Sequence, residues 1–335
     1  MRMKTVLIGC MLALVLCLVA QFSACSRITA PNTTVDTTSE ALAVNGTVSQ
    51  SDSSETSEET LPPETTAPVT DDSITLPPTT EEKPYTTIAV PSSEMYTGSL
   101  IVVDRENPYS YRVASMYTPS ELDRLSEGEL SELGWVSLYA NKGTSYVLRS
   151  RLIYLRAEAY RAFSQMMSDY VAKSGNRDVQ VRFGYQLING IADLASLSDE
   201  RVTGLTVEIN VYTEEGSFSI DHASKKSAYF DWFSANCHKY GFVMTAESGM
   251  FRYVGTPHAS YMQANSLTLS EYVALVSRRS FEEPLSFVDA SGVLWRVYGV
   301  AVQSGSVTAI PVRNDSVYMI SGNNKNGFII ASRDK

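Results

Sequence analysis

Hydrophobic and polar positions divide the chain into three stretches. An apolar run, Val6 to Phe22, carries no charge and follows the basic residues Arg2 and Lys4. From Ser26 to about residue 95 the apolar positions almost disappear, and Ser, Thr, Pro and acids take their place. Beyond that the patterning is that of a folded domain. Gly98 to Asp104 holds a short apolar run between Gly and Asp, which predicts a buried strand. In Arg151 to Lys173, Leu155, Ala159, Phe163, Met166 and Tyr170 recur at helical spacing on one face, and Ser174-Gly-Asn closes the segment. Val179 to Phe183 and Leu205 to Val211 alternate as strands. Ala228 to Tyr240 reads as a helix stopped by Gly241, and Thr268 to Arg278 as a second short helix. After Pro284 the pattern changes to strand-like runs at 294–302, 307–312, 317–320 and 327–332, separated by Gly, Asn and Ser. The class predicted is α+β: a small antiparallel sheet packed by helices over 96–283, followed by an all-β appendage over 284–335.

The N-terminal run has the order of a secretory signal, with basic, apolar and small-residue regions ending at Ser23, Ala24 and Cys25. Phe-Ser-Ala-Cys approximates a bacterial lipobox, so the leading expectation is a signal over 1–25 with lipid on Cys25. Ordinary cleavage, or retention of the run as a short membrane anchor near the ~17-residue lower limit for spanning, remain the alternatives. Each places the rest of the chain outside the cytoplasm. Cys10, Cys17 and Cys25 lie in the signal, which leaves Cys237 alone in the folded part, where no intramolecular disulfide can form. Cys237 reads as a small buried hydrophobe.

The stretch 26–95 has too little apolar surface to offset chain entropy and is read as a disordered tether, with Leu-Pro-Pro repeating at 61–63 and 76–78. Twelve acids and two bases fall between Ser26 and Glu94, against 37 and 27 in the whole chain. The acidity therefore belongs to the tether, and the folded part is close to neutral. Phosphate binding needs a clustered cationic surface, and the sequence contains no such cluster, so nucleic acid is not an expected partner. A coil of this length spans on the order of 50 Å, which suits lifting a domain from a membrane into a wall.

Six segments in register resemble the zinc D-alanyl-D-alanine carboxypeptidases of the VanY type. Gly98-Ser-Leu-Ile-Val-Val resembles that family's first strand, and Val181-Arg-Phe-Gly-Tyr-Gln186 its Ser-Gly-Tyr-Arg segment. Asp199-Glu-Arg-Val-Thr-Gly-Leu-Thr-Val-Glu208 resembles Ser-x-His-x-x-Gly-x-Ala-x-Asp. Tyr229 to Phe242 resembles the helix and turn that follow, and Met250-Phe-Arg-Tyr-Val-Gly resembles Trp-His-x-Arg-Tyr-Val-Gly. Ile320 to Ile330 resembles a β-extension of some relatives. The resemblance implies a D,D-carboxypeptidase (hedgehog-like) core, a zinc ion, and peptidoglycan stem peptides as ligands.

Carried over residue by residue, the resemblance puts the family's metal ligands at Arg201, Glu208 and Met250, so two of three are lost. A catalytic zinc needs three donors and an open position. Arginine has no lone pair to give, and a neutral thioether suits softer metals. The expectation is accordingly that the family's zinc is lost, that no cofactor replaces it, and that catalysis is absent. Glu247 falls on the general-base position, where it has little to do without a metal-bound water. Tyr185 and Gln186 fall on the substrate-facing segment; Gln186 replaces the Arg that would pair with a terminal carboxylate, and can offer only a neutral hydrogen bond. Arg201 and Glu208 are expected to form an ion pair across the old metal position. His222, His238 and His258 are read as surface or packing residues, Arg252-Tyr253 as structural, and the aromatics between Tyr229 and Phe242 as core. The leading reading is an inactive domain that binds stem peptides or an envelope protein. An active metallopeptidase with unorthodox ligation, and a structural module with a filled cleft, are the alternatives.

Overall fold

Alternation in two strands sets the architecture. Val179 and Val181 share one face with Val207, Ile209 and Val211, while Gln180, Arg182, Glu208 and Asn210 take the other. The first face is covered by helices; the second bears the candidate site. The computed structural model describes residues 84–109, 116–187, 197–221 and 227–335, all within the unit Leu76–Lys335. The expected signal, Cys25, the tether up to residue 83 and His222 lie outside the described residues.

The strands in chain order are β1 (Tyr85–Pro91), β2 (Trp135–Ser137), β3 (Val147–Leu148), β4 (Tyr154–Arg156), β5 (Val179–Phe183), β6 (Thr206–Thr213), β7 (Gly216–Ser219), β8 (Phe242–Met244), β9 (Met250–Tyr253), β10 (Leu285–Val288), β11 (Leu294–Ala301), β12 (Val307–Arg313), β13 (Ser316–Gly322) and β14 (Gly327–Asp334). The helices are α1 (Pro119–Leu122), α2 (Glu127–Glu132), α3 (Ala157–Ser174), α4 (Ser227–Asn236), α5 (Thr256–Asn265) and α6 (Leu269–Val276). The central sheet runs β3-β5-β6-β9-β8, with β7 also on β6. It is antiparallel except for the two-residue parallel pairing of β3 with β5.

Helix α3 buries Ala159, Phe163, Met166, Met167 and Tyr170 against the valines of β5 and β6. Truncating fully buried Phe163 to Ala would cost about 3–5 kcal/mol. The helix starts later than its apolar spacing implies, because Tyr154–Arg156 pairs with β2 instead. It ends at Gly175, whose left-handed backbone lets its N–H reach Val171 O at 2.8 Å. Helix α4 continues into a 3-10 turn, Cys237–Tyr240, stopped by Gly241 as the sequence implies. Thr268 caps α6 through a reciprocal pair with Glu271. Among the described residues no helix is long and apolar enough to cross a membrane.

Three boundaries differ from the sequence reading. The tether does not reach residue 95: Tyr85–Pro91 forms seven antiparallel pairs with β12, and Ile88 and Val90 pack on a core of Tyr298, Ile310, Phe328 and Ile330. The strand's partner lies more than 200 residues on, so local composition carries no sign of it. Leu100 to Val103 is buried but is not a strand. Its polar groups go to other partners, Leu100 N–H to Ser321 Oγ (2.9 Å) and Val102 N–H to Asn323 O (3.2 Å), while Arg252 donates to Ser99 O and Ile101 O. The C-terminal sheet, β10-β11-β14-β13, is also no separate appendage. Trp295, Val297, Ile329 and Ala331 share one core with Leu100, Val102, Val254, Met262 and Tyr272.

Candidate functional site

Strand β6 carries Glu208 on the sheet's polar face, and the 3-10 turn before it, Glu200–Thr203, carries Arg201. Asp199 caps that turn, accepting from Arg201 N–H at 2.8 Å. Gly204 then reverses the chain with φ +69°; a Cβ there would lie 2.2 Å from the Trp135 ring, so only glycine makes this approach. Across the ladder Glu208 pairs with Met250 of β9 and with Phe183 of β5. The β5–β6 register slips between Val181 and Phe183, where Arg182 sits.

The result is a chain of alternating charge. The Arg201 guanidinium grips Asp199 side-on, Nε to Oδ1 at 3.0 Å and Nη2 to Oδ2 at 2.6 Å, and its Nη1 reaches Glu208 Oε2 at 3.3 Å. Arg182 Nη1 takes the other Glu208 oxygen at 2.8 Å. The expected Arg201–Glu208 ion pair is therefore present, with two partners the sequence reading did not name. Side-chain exposure is 17% for Arg201 and 11% for Glu208, so the Coulomb terms are screened less than at a surface. The hydrogen bonds to Asp199 raise the Arg201 pKa further above its ordinary value, with the charges of Asp199 and Glu208 adding to the effect.

These residues do not fit zinc. Arg201 places a fixed positive charge against the one surviving carboxylate, and Met250, 4% exposed, offers only a thioether. Among the described residues no group of three or more His, Cys, Asp or Glu side chains is placed to hold a metal ion. Glu247 is exposed in the turn between β8 and β9. It lines a cleft of about 470 Å³ together with Arg105, Asp199, Glu200 and Met250. Gly249 closes that turn at φ +73°, where a Cβ would meet Ile209 O at 2.3 Å.

The remaining sequence-predicted residues lie elsewhere. Tyr185 is buried, packs its ring against Trp135 in a tilted pair with centroids 4.5 Å apart and donates its hydroxyl to Tyr117 O at 2.5 Å; burial pushes its pKa up. Gln186 donates its backbone N–H to Arg201 O at 3.3 Å and is not among the residues lining the cleft. His258 is buried and shares a 2.8 Å hydrogen bond with the Tyr272 hydroxyl, and His238 lies in the 3-10 turn after α4. Cys237 is buried, its thiol pushed up to about 12 by desolvation. Arg252 is a tie across the core, as read. Sequence reasoning passed over Arg182, Arg149 and Glu200. Burial raises the Glu200 pKa, with Arg252 opposing. For Arg182 a signal existed: it shares the alternation that puts Glu208 on the open face.

The small mixed sheet backed by α3 and α4 has a counterpart among solved structures. Among solved structures, the vancomycin resistance D,D-dipeptidase VanXYg in complex with a D-Ala-D-Ala phosphinate analog matches with a TM-score of 0.54 at 20% identity, covering 74% of this chain and 99% of its own. That likeness establishes the fold. The LD-carboxypeptidase LdcB (26% identity, TM-score 0.30, covering 36% of this chain and 69% of its own) and a D,D-pentapeptidase VanY in complex with Zn(II) (18%, 0.32, 52% and 98%) superpose too weakly for any inference to rest on them. No family model matches the chain, and no curated protein does.

Proposed function

We propose that this is an envelope protein that displays a D,D-carboxypeptidase-like domain on an acidic tether, anchored through Cys25, and that the domain binds peptidoglycan stem peptides without cleaving them. The observation that carries the reading is the Arg201 guanidinium, 3.3 Å from Glu208 and doubly bonded to Asp199, at the position the resemblance assigns to a metal ligand. A fixed cation answers the carboxylate's charge but activates no water, because lowering the pKa of water to near neutrality is the ion's contribution. The open cleft of about 470 Å³ favours binding over a purely structural role.

The test is elemental analysis and assay of the purified full-length protein. The reading expects no stoichiometric zinc, no release of D-alanine from a stem pentapeptide, and saturable binding of muropeptides. One zinc per chain together with turnover would overturn it.

A further inference from the structure

On the same sheet face, beyond Glu208, lies a groove of about 520 Å³ lined by Arg149, Gln180, Arg182, Asn210, Tyr212 and the serines of β7. Two guanidiniums and no acid line it. Arg149 and Arg182 stand over one ring, their Cζ atoms 5.2 and 5.4 Å from the Phe183 centroid, and Arg201 approaches the same ring at 5.8 Å. Three arginines thus face two carboxylates, Asp199 and Glu208, and both acids are engaged by Arg201 and Arg182. Among the described residues Arg149 has no carboxylate partner, although its backbone is fixed to β5 by an N–H to Val181 O bond of 3.0 Å. A second, independent feature lies beside it. Asn210 is 3% exposed and spends its amide Nδ2 on Ser217 Oγ, while its Oδ1 is buried with no donor. An unanswered buried acceptor is costly, so a donor at this place is favoured.

We propose that this groove is an anion subsite for a peptide carboxylate, held by Arg149 and Arg182, with an amide N–H of the same ligand directed to Asn210 Oδ1. The proposal deepens the stem-peptide reading and rests on it for the ligand class. It explains how a chain with Gln186 in place of a carboxylate-binding arginine still recognises a carboxylate: the charge lies instead on Arg182, on the open face of β5, and on Arg149, directly after β3. A carboxylate fits two guanidinium forks, and the neighbouring amide fits the one acceptor.

The experiment titrates the full-length protein with N-acetyl-D-alanyl-D-alanine, with its C-terminal amide, and with a muropeptide mixture, using wild type and Arg149→Gln. Arg149 is exposed and belongs to no buried pair, so the variant folds; its circular dichroism and Tm serve as the control. The expected result is that wild type binds the acid at least tenfold more tightly than the amide, and that Arg149→Gln closes this gap to less than threefold. Acid and amide bound equally by wild type, or an unchanged gap in the variant, overturns the subsite; if muropeptides still bind, the stem-peptide reading survives. Acid binding that depends on Arg149 while muropeptides fail to bind upholds the subsite and overturns the broader reading. If nothing binds, both fall.

Discussion

Replacing Arg201 by methionine keeps the length and apolar stem of the side chain and removes its charge. In the native site that charge makes a side-on pair with Asp199 and a 3.3 Å contact to Glu208, all three side chains being no more than 21% exposed. Exchanging a whole buried charge set for apolar residues is often neutral, but removing one member leaves the others uncompensated, at about 3–5 kcal/mol when fully buried. Here Arg182 still holds one Glu208 oxygen and water reaches Asp199. The expected loss is therefore smaller, about 2–3 kcal/mol, near the range for one set of charged hydrogen bonds. For a domain of this size that lowers Tm by about 4–12 °C. Urea denaturation of wild type, Arg201→Met, Glu208→Gln and the double variant closes a thermodynamic cycle. The coupling should be about 1 kcal/mol, because Asp199 takes most of the guanidinium and Arg182 competes for Glu208. A single-variant loss below about 0.5 kcal/mol with coupling near zero would refute the view that Arg201 neutralises this carboxylate.

Three further outcomes follow from the same geometry. Arg201→His combined with Met250→His restores two imidazoles around Glu208, and elemental analysis should find about one zinc per chain in the double variant; a metal-free double variant would show that the backbone no longer converges these positions. His258 is held neutral by burial, its pKa lowered from 6.5 to about 3. The unfolded chain takes up a proton below 6.5 and the folded one does not, so stability present above pH 6.5 is lost as pH falls toward 3; between pH 7 and 5 wild type should lose about 2 kcal/mol more than His258→Gln in urea titrations, and parallel pH curves would contradict this. Gly249→Ala forces a side chain into φ +73° and against Ile209 O; a Tm drop corresponding to at least about 2 kcal/mol is expected, and an unchanged Tm would mean that the turn relaxes freely.

The sequence by itself determined the elements whose signals are local. The face of α3, the alternation of β5 and β6, the stop at Gly241 and the capping of α6 by Thr268 are each written within a few residues of where they act. It also determined that Arg201 and Met250 are poor metal donors, since that follows from side-chain chemistry alone. Only the tertiary structure decided features made by distant partners. Tyr85–Pro91 became a strand because β12 offers it a ladder, and Leu100 to Val103 did not because side chains from Arg252 and Ser321 meet its backbone. The C-terminal sheet joined the main fold through a core shared across more than 200 residues of chain. At the site, the Arg201–Glu208 pair was legible from two changes at matched positions. Arg182 could have been found from the alternation it shares with Glu208, but its pairing with that carboxylate depends on the register slip in β5; the approach of Arg149, from the turn of the chain after β3, to the same ring leaves no pattern in the sequence.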